Sequence, residues 1–198
     1  MLRLFIALPL PAEVERELDR LLDQLRPKSD NVKWVPAKNI HLTVKFLGDT
    51  DEKIVAKITS AIDEVAAQYQ PFESTLDRIG AFPNLRRPRV IWIGGSEPIA
   101  DPSGGNADAA RLARDIDHRM RKLRFEKEKR SFKPHLTLGR VRQGRRVDEL
   151  ADYLQTFELK TIPLTLDRVV LFKSTLTPQG AIYDRLHEAK LGEERFGG

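Results

Sequence analysis

Two copies of one tripeptide carry most of the chemistry this sequence has to offer. His41-Leu42-Thr43 lies in NIHLTVKFLG and His135-Leu136-Thr137 lies in FKPHLTLGR, so two of the four histidines open the same three residues 94 positions apart. A recurrence of that kind reads as an internal repeat, here a duplicated half-site. If each copy is a β-strand, side chains alternate between faces. Ile40, Leu42, Val44 and Phe46 then share one face, and His41, Thr43 and Lys45 share the other. In the second copy Leu136 and Leu138 turn to the core while His135 and Thr137 turn away. Each copy thus presents one titratable nitrogen and one hydroxyl to the same space.

Set face to face, two such strands would surround a small anion with two imidazoles and two hydroxyls. An ordinary imidazole titrates near pH 6.5, so near neutrality one ring can be neutral while its partner is protonated. The neutral ring can take a proton from water and the charged ring can give one to a leaving oxygen. The Thr43 and Thr137 hydroxyls suit non-bridging phosphate oxygens, and Arg140 follows the second copy closely enough to stabilise growing negative charge. This chemistry needs no metal and no cofactor.

Other chemistries fit less well. The chain has no cysteine, which removes thiolate nucleophiles, disulfides and Cys-ligated metals. A metal held by the two histidines with Asp49 or Asp51 is the nearest competitor, but Thr is a poor ligand and no His-x-x-x-His or His-x-x-Glu spacing occurs. No G-x-S-x-G elbow supports a serine nucleophile, and no G-x-G-x-x-G or P-loop run supports nucleotide binding of those kinds. His118 and His187 read as surface or structural residues.

The elements that must position these groups are legible in outline. A strand at 2–8 is followed by Pro9 and Pro11, then by a helix whose Val14, Leu18, Leu21, Leu22 and Leu25 keep helical spacing. A short strand at 33–35 precedes a strand at 40–47 ended by Gly48. A helix over 51–68, capped by Thr50 or Asp51, carries Ile54, Ile58, Ile62 and Val65 on one stripe. Strands follow at 72–79 and 89–93, a helix at 107–123, the second motif strand at 135–141, and a short helix at 147–154. Strands near 165–172 and 181–186 close the chain. The Pro- and Gly-rich stretch 97–106 reads as a mobile loop or a junction between halves, and the tail from 191 as frayed. The mixture predicts an α+β fold with two related lobes, in one domain spanning residues 1–198.

The net charge of +5 conceals an asymmetry. Between Arg119 and Arg146 twelve Lys or Arg residues face two acids, leaving the remainder of the chain acidic. A solvated helix face is one explanation of such a run. Its position leading into the second motif favours a phosphate-attracting surface, and hence a polyanionic ligand. The opening MLRLFIALPLP is apolar for only about eight residues, which suits a strand better than a leader. No segment approaches the ~20 apolar residues of a membrane span.

Taken together, RLFIALPLP, WVPAKNIHLTVKFLGD, IGAFPN, PRVIWIG, FKPHLTLGR, LFKS and GAIYDRL resemble, in order and over nearly the whole chain, the two-histidine (2H) phosphoesterase superfamily. Within it the match is to the RNA 2′,3′-cyclic phosphodiesterases, often labelled 2′-5′ RNA ligases. The resemblance implies a bilobal α+β fold with pseudo-twofold symmetry, two mainly antiparallel sheets flanked by helices, and an active-site cleft between the lobes. It implies a cytoplasmic monomer that hydrolyses RNA 2′,3′-cyclic phosphate ends, tRNA fragments among them, to 2′-phosphates without metal, with reversible 2′-5′ RNA ligation as a second reaction of the same site. His41 and His135 become the catalytic pair, with His41 donating to the departing O3′ and His135 activating water. Thr43, Thr137 and Arg140 become phosphate-binding residues. Phe5, Trp34, Phe82 and Phe132 are candidates for base stacking. A nucleotide- or RNA-binding domain with little turnover, and a phosphodiesterase for small cyclic nucleotides, are the alternative readings.

Overall fold

A computed structural model of the chain describes residues 1–96, 105–178 and 180–193. Its elements run β1 (Leu2–Pro9), α1 (Ala12–Leu25), β2 (Val32–Trp34), β3 (His41–Thr50), α2 (Val55–Ala66), β4 (Phe72–Leu76), β5 (Arg78–Phe82), β6 (Val90–Gly94), α3 (Gly105–Lys122), β7 (Leu136–Val141), α4 (Asp148–Thr156), β8 (Ile162–Leu166), β9 (Arg168–Thr177) and β10 (Gly180–Lys190). The class is α+β. Among the described residues ten strands form three sheets: β10-β9-β1-β3, β2-β7-β6-β5, and the pair β4-β8. Every pairing is antiparallel.

The two motif strands fall in different sheets, β3 at an edge of the first and β7 inside the second. Sheet membership does not follow chain halves. The C-terminal β9 and β10 complete the sheet begun by β1 and β3, while β2 crosses to pair with β7. One continuous core lies between sheets and helices. The expected stripe Val14, Leu18, Leu21, Leu22 and Leu25 of α1 is buried in it, as are Ile58, Ile62 and Val65 of α2 and Leu112, Ile116 and Met120 of α3.

Several boundaries differ from the sequence expectation for identifiable reasons. Residues 72–79 form two strands, because Asp77 leaves the ladder and accepts hydrogen bonds from the Ser96 backbone N–H (2.7 Å) and hydroxyl (2.8 Å). The single strand expected near 165–172 is likewise split at Asp167, whose carboxylate takes the Arg168 guanidinium at 2.7 and 2.8 Å. Asp51, rather than Thr50, caps the turn before α2, accepting from the Lys53 N–H. Most of the 97–106 stretch, 97–104, lies outside the described residues, as does 194–198.

Gly48 does not end its strand. β3 continues to Thr50, with Gly48 at φ +70° opposite Leu4, where the β1–β3 register shifts by one residue. A left-handed residue inside a ladder is what glycine permits at a bulge.

Candidate functional site

A second register shift in β3 decides which side chains reach the site. Thr43 pairs with Ala7 and Lys45 with Ile6, so Val44 is an extra residue and the alternation resets beyond it. Lys45, expected beside His41, instead turns inward and is 2% exposed. Phe46, expected in the core, turns out onto the His41 face and is 66% exposed. The same device recurs in the second copy. Ile91 pairs with Gly139 and Trp92 with Thr137, leaving Leu138 as the extra residue of β7. Strict alternation from Thr137 would send Arg140 to the core; the bulge returns it to the exposed face that Thr137 shares. Both His-Leu-Thr copies therefore carry a bulge at the residue after threonine, a second level of duplication beneath the repeated tripeptide.

His41 lies in an aromatic nest. Its ring stacks on Phe5 at 4.9 Å, lies 5.9 Å from Phe172 and meets Tyr183 edge-on at 5.4 Å. Pro9 is the residue opposite His41 in β1, and Ala7 stands between it and Phe5. Phe5, Ala7, Val170 and Phe172 form their own buried cluster, with Tyr183 against it, on the opposite face of the sheet from the main core. Burial in this setting lowers the His41 pKa to about 4, and the Asn39 backbone carbonyl opposes part of that shift. The Asn39 side-chain amide donates to the Ala181 carbonyl at 3.1 Å, tying the turn before His41 to β10.

His135 repeats the arrangement with other partners. Its Nδ1 sits 2.6 Å from the Lys133 carbonyl, two residues upstream, just as the carbonyl that serves His41 is two residues upstream of it. Donation from Nδ1 to that carbonyl leaves Nε2 as the nitrogen open to a ligand. Phe82 meets the ring edge-on at 5.0 Å, and Trp92 lies 5.4 Å from Phe82. Trp92 lies flat over Gly80, where a Cβ would run into the indole, so β5 has no room for a side chain there. The His135 pKa is lowered chiefly by burial and further by the Arg140 cation, against the Lys133 carbonyl. At pH 7 both rings of the ligand-free protein are thus predominantly neutral, rather than one neutral and one charged.

The Arg140 cation acts on residues of both four-stranded sheets. Its charge acts on His135 in its own sheet and on Tyr183 in the other, where burial raises the phenol pKa and Arg140 and Arg3 draw it back. Tyr183 in turn touches His41. The five residues singled out by sequence, His41, Thr43, His135, Thr137 and Arg140, therefore lie on the exposed faces of two strands whose surroundings meet at Tyr183. Thr43 and Thr137 are both partly exposed beside their histidines.

Sequence reasoning missed two contributors. Tyr183 lies in the GAIYDRL segment but received no role, because nothing local in the sequence places its strand beside His41. Lys45 was assigned to the wrong face. Its Nζ donates to Asp117 of α3 at 2.7 Å and to the Glu126 carbonyl at 2.8 Å, while the Glu128 N–H donates to the same Asp117 oxygen at 3.1 Å. One buried ammonium thereby fastens β3 to α3 and pins the segment that leads into His135.

The remaining candidates fall away on position. Asp49 sits opposite Arg3 at the far end of β3 from His41, and Asp51 caps the turn before α2. Among the described residues no group of three or more His, Asp or Glu side chains gathers. His118 is exposed on α3, and His187 bonds Asp63 at 2.7 Å. Of the stacking candidates, Phe5 is buried beneath His41 and Phe82 supports His135; Trp34 and Phe132 pack on the main core. Among the described residues, no helix is long and apolar enough to cross a membrane.

Comparison with known proteins shows the family and the fold. A family model described as LigT like phosphoesterase matches residues 8–92 and 100–183. A curated relative from Methanocaldococcus jannaschii, named RNA 2′,3′-cyclic phosphodiesterase, is 34% identical over 188 residues, covering 94% of this chain and 99% of its own. One of the same name from Archaeoglobus fulgidus is 34% identical, covering 93% and 98%. Among solved structures, TT0787 of Thermus thermophilus superposes with a TM-score of 0.76 at 26% identity, covering 98% of this chain and 100% of that one. E. coli LigT complexed with 3′-AMP shares the fold at a TM-score of 0.70 and 24% identity, covering 97% and 99%.

Proposed function

Because this chain belongs to the LigT-like phosphoesterase family, we propose that it hydrolyses 2′,3′-cyclic phosphate ends of RNA to 2′-phosphates by metal-independent acid–base catalysis between His41 and His135. The observation that carries the reading is the doubled unit: each histidine is held by a backbone carbonyl two residues upstream, followed by an aligned threonine and then by a bulge. Relatives named RNA 2′,3′-cyclic phosphodiesterase over almost the whole chain support the substrate class. So does the run of cations from Arg119 to Arg146. The reading treats residues 1–198 as one two-lobed domain with one motif copy on each major sheet, acting as a cytoplasmic monomer.

In this mechanism Thr43, Thr137 and Arg140 hold the cyclic phosphate between the rings. One neutral imidazole takes a proton from water as it attacks phosphorus, the P–O3′ bond breaks, and the other imidazolium delivers its proton to O3′. Arg140 offsets the charge that builds on the non-bridging oxygens. With His41 as donor and His135 as base, burial imposes a condition. His41 must regain a proton despite a pKa of about 4, and the negative phosphodiester beside it favours that. In 2′-5′ ligation the 5′-hydroxyl of a second RNA takes the place of water: one imidazole takes its proton as the oxygen attacks phosphorus, and the other protonates the departing O3′.

The direct test is replacement of each histidine singly. His41→Ala and His135→Ala should each reduce turnover of an RNA cyclic phosphate by at least about 100-fold, the usual size of a lost acid or base. Near-normal turnover in either variant removes that residue from the pair. Tight RNA binding without turnover in the unaltered protein would instead favour a binding module.

A further inference from the structure

Four cations on the segment between α3 and β7 stand without partners. Arg111, Arg114 and Arg119 of α3 pair with Asp108, Asp115 and Glu64. Past the helix, Lys127, Lys129, Arg130 and Lys133 are exposed and pair with no carboxylate among the described residues. Residues 123–135 form neither helix nor strand, so no ladder holds these side chains in place. The Phe125 N–H still donates to the Met120 carbonyl of α3. Beyond it the backbone is anchored by one buried pair: Lys45 Nζ donates to the Glu126 carbonyl at 2.8 Å, and the Glu128 N–H donates to Asp117 at 3.1 Å. The next fixed point is the Lys133 carbonyl, which holds His135.

That anchor does two things to the loop. It fixes the backbone at Glu126 and Glu128 on a side chain 2% exposed, which belongs to the strand that carries His41. It also sets a positive charge 3.8 Å from the Glu128 carboxylate, the one acid among the four cations, and so offsets the charge that would oppose them. The loop stands off the end of β3 across a groove of about 880 Å³, so packing alone does not fix it. We propose that residues 127–133 are a track for the RNA backbone upstream of the cyclic phosphate, and that Lys45 is the positioning residue that holds this track beside the site. A cyclic phosphate closes the 3′ end of a strand, so every internucleotide phosphate lies on one side of the reacting group. A row of cations leading up to one histidine meets that asymmetry, and a mononucleotide gains nothing from it. This rests on the RNA reading above.

The test compares two products that the protein does not turn over: a 5′-labelled octanucleotide ending in a 2′-phosphate, followed by fluorescence anisotropy over a salt series, and adenosine 2′-phosphate, followed by calorimetry. Each single-strand phosphate contact contributes about 0.7 to the slope of log affinity against log salt. The variant Lys127→Gln/Lys129→Gln/Arg130→Gln/Lys133→Gln should therefore flatten the slope by about 2–3 and weaken octanucleotide binding about 100-fold at about 0.1 M salt. Adenosine 2′-phosphate should bind it within about twofold of the parent. Lys45→Met/Asp117→Leu keeps all four cations but frees the loop. It should weaken the octanucleotide roughly tenfold, equivalent to one or two phosphate contacts, and spare the mononucleotide. In the unaltered protein, hydrogen exchange should show the Glu128 amide protected between fast-exchanging neighbours. An unchanged slope in the four-Gln variant, or equal losses for both products, overturns the track. Parent-like octanucleotide binding by the folded double variant, or rapid exchange at Glu128, overturns the role of Lys45. If the protein hydrolyses no cyclic phosphate, the enzymatic reading fails while the two binding series still decide the track.

Discussion

Burial of His41 should be visible as a pH dependence of stability before any substrate is added. Its folded pKa of about 4 lies below the ordinary imidazole value near 6.5. Between those values the unfolded chain binds a proton that the folded chain does not, so folding is penalised as pH falls. The stability is fully present above pH 6.5, erodes below it, and reaches its full loss near pH 4. At pH 5 the expected loss from His41 alone is about 2 kcal/mol. For a chain of this size that is roughly 4–8 °C in Tm. His41→Phe keeps a ring against Phe5 and removes the titration. Thermal melts of both proteins at pH 7.5 and pH 5 should show the variant losing about 2 kcal/mol less across that interval. An NMR titration of the imidazole provides the direct reading. Parallel stability curves, or a His41 resonance titrating near pH 6.5, would refute the argument from burial.

Two further perturbations test the scaffold and the site. Asp117→Ala leaves the 2%-exposed Lys45 without its carboxylate and should cost about 3–5 kcal/mol in denaturant melts, whereas the double variant Lys45→Met/Asp117→Leu should recover much of that loss. A double variant no better than Asp117→Ala would mean the pair does more than compensate its own burial. Asp117 itself is raised by burial but drawn below the ordinary carboxylate range by Lys45 and the Glu128 N–H, so its contribution is present above about pH 4 and lost in stronger acid. Arg140→Ala should lower kcat by about 10²–10³-fold and, with its cation gone, move the His135 pKa upward. Arg140→Lys should fall between, having charge without the fork. Unchanged kcat in Arg140→Ala would remove it from the transition state.

The chemistry was easier to read from the sequence than the geometry that delivers it. His-x-Thr is a local pattern, and alternation sufficed to place each histidine with its threonine, because no bulge intervenes between them. Immediately afterwards the same rule failed. Whether a strand carries an extra residue depends on what its partner strand offers, and neither Val44 nor Leu138 announces itself as one. That single omission exchanged Lys45 with Phe46, and it left Arg140 on the correct face only by proximity. Helix stripes such as that of α1 were legible because burial on one face repeats every turn. Strand ends at Asp77 and Asp167 were not, since a side chain capturing a distant N–H or a neighbouring guanidinium leaves the hydrophobic pattern uninterrupted. Tyr183 became visible only when β10 was placed beside β9.

The central claim is that two imidazoles, without a metal, supply the acid and base that open a cyclic phosphate. It is tested most directly by incubating the purified chain, in excess EDTA, with an RNA ending in a 2′,3′-cyclic phosphate and mapping the product terminus. The account predicts undiminished hydrolysis to a 2′-phosphate. Loss of hydrolysis in EDTA with recovery on adding a divalent ion, or a 3′-phosphate product, would contradict it.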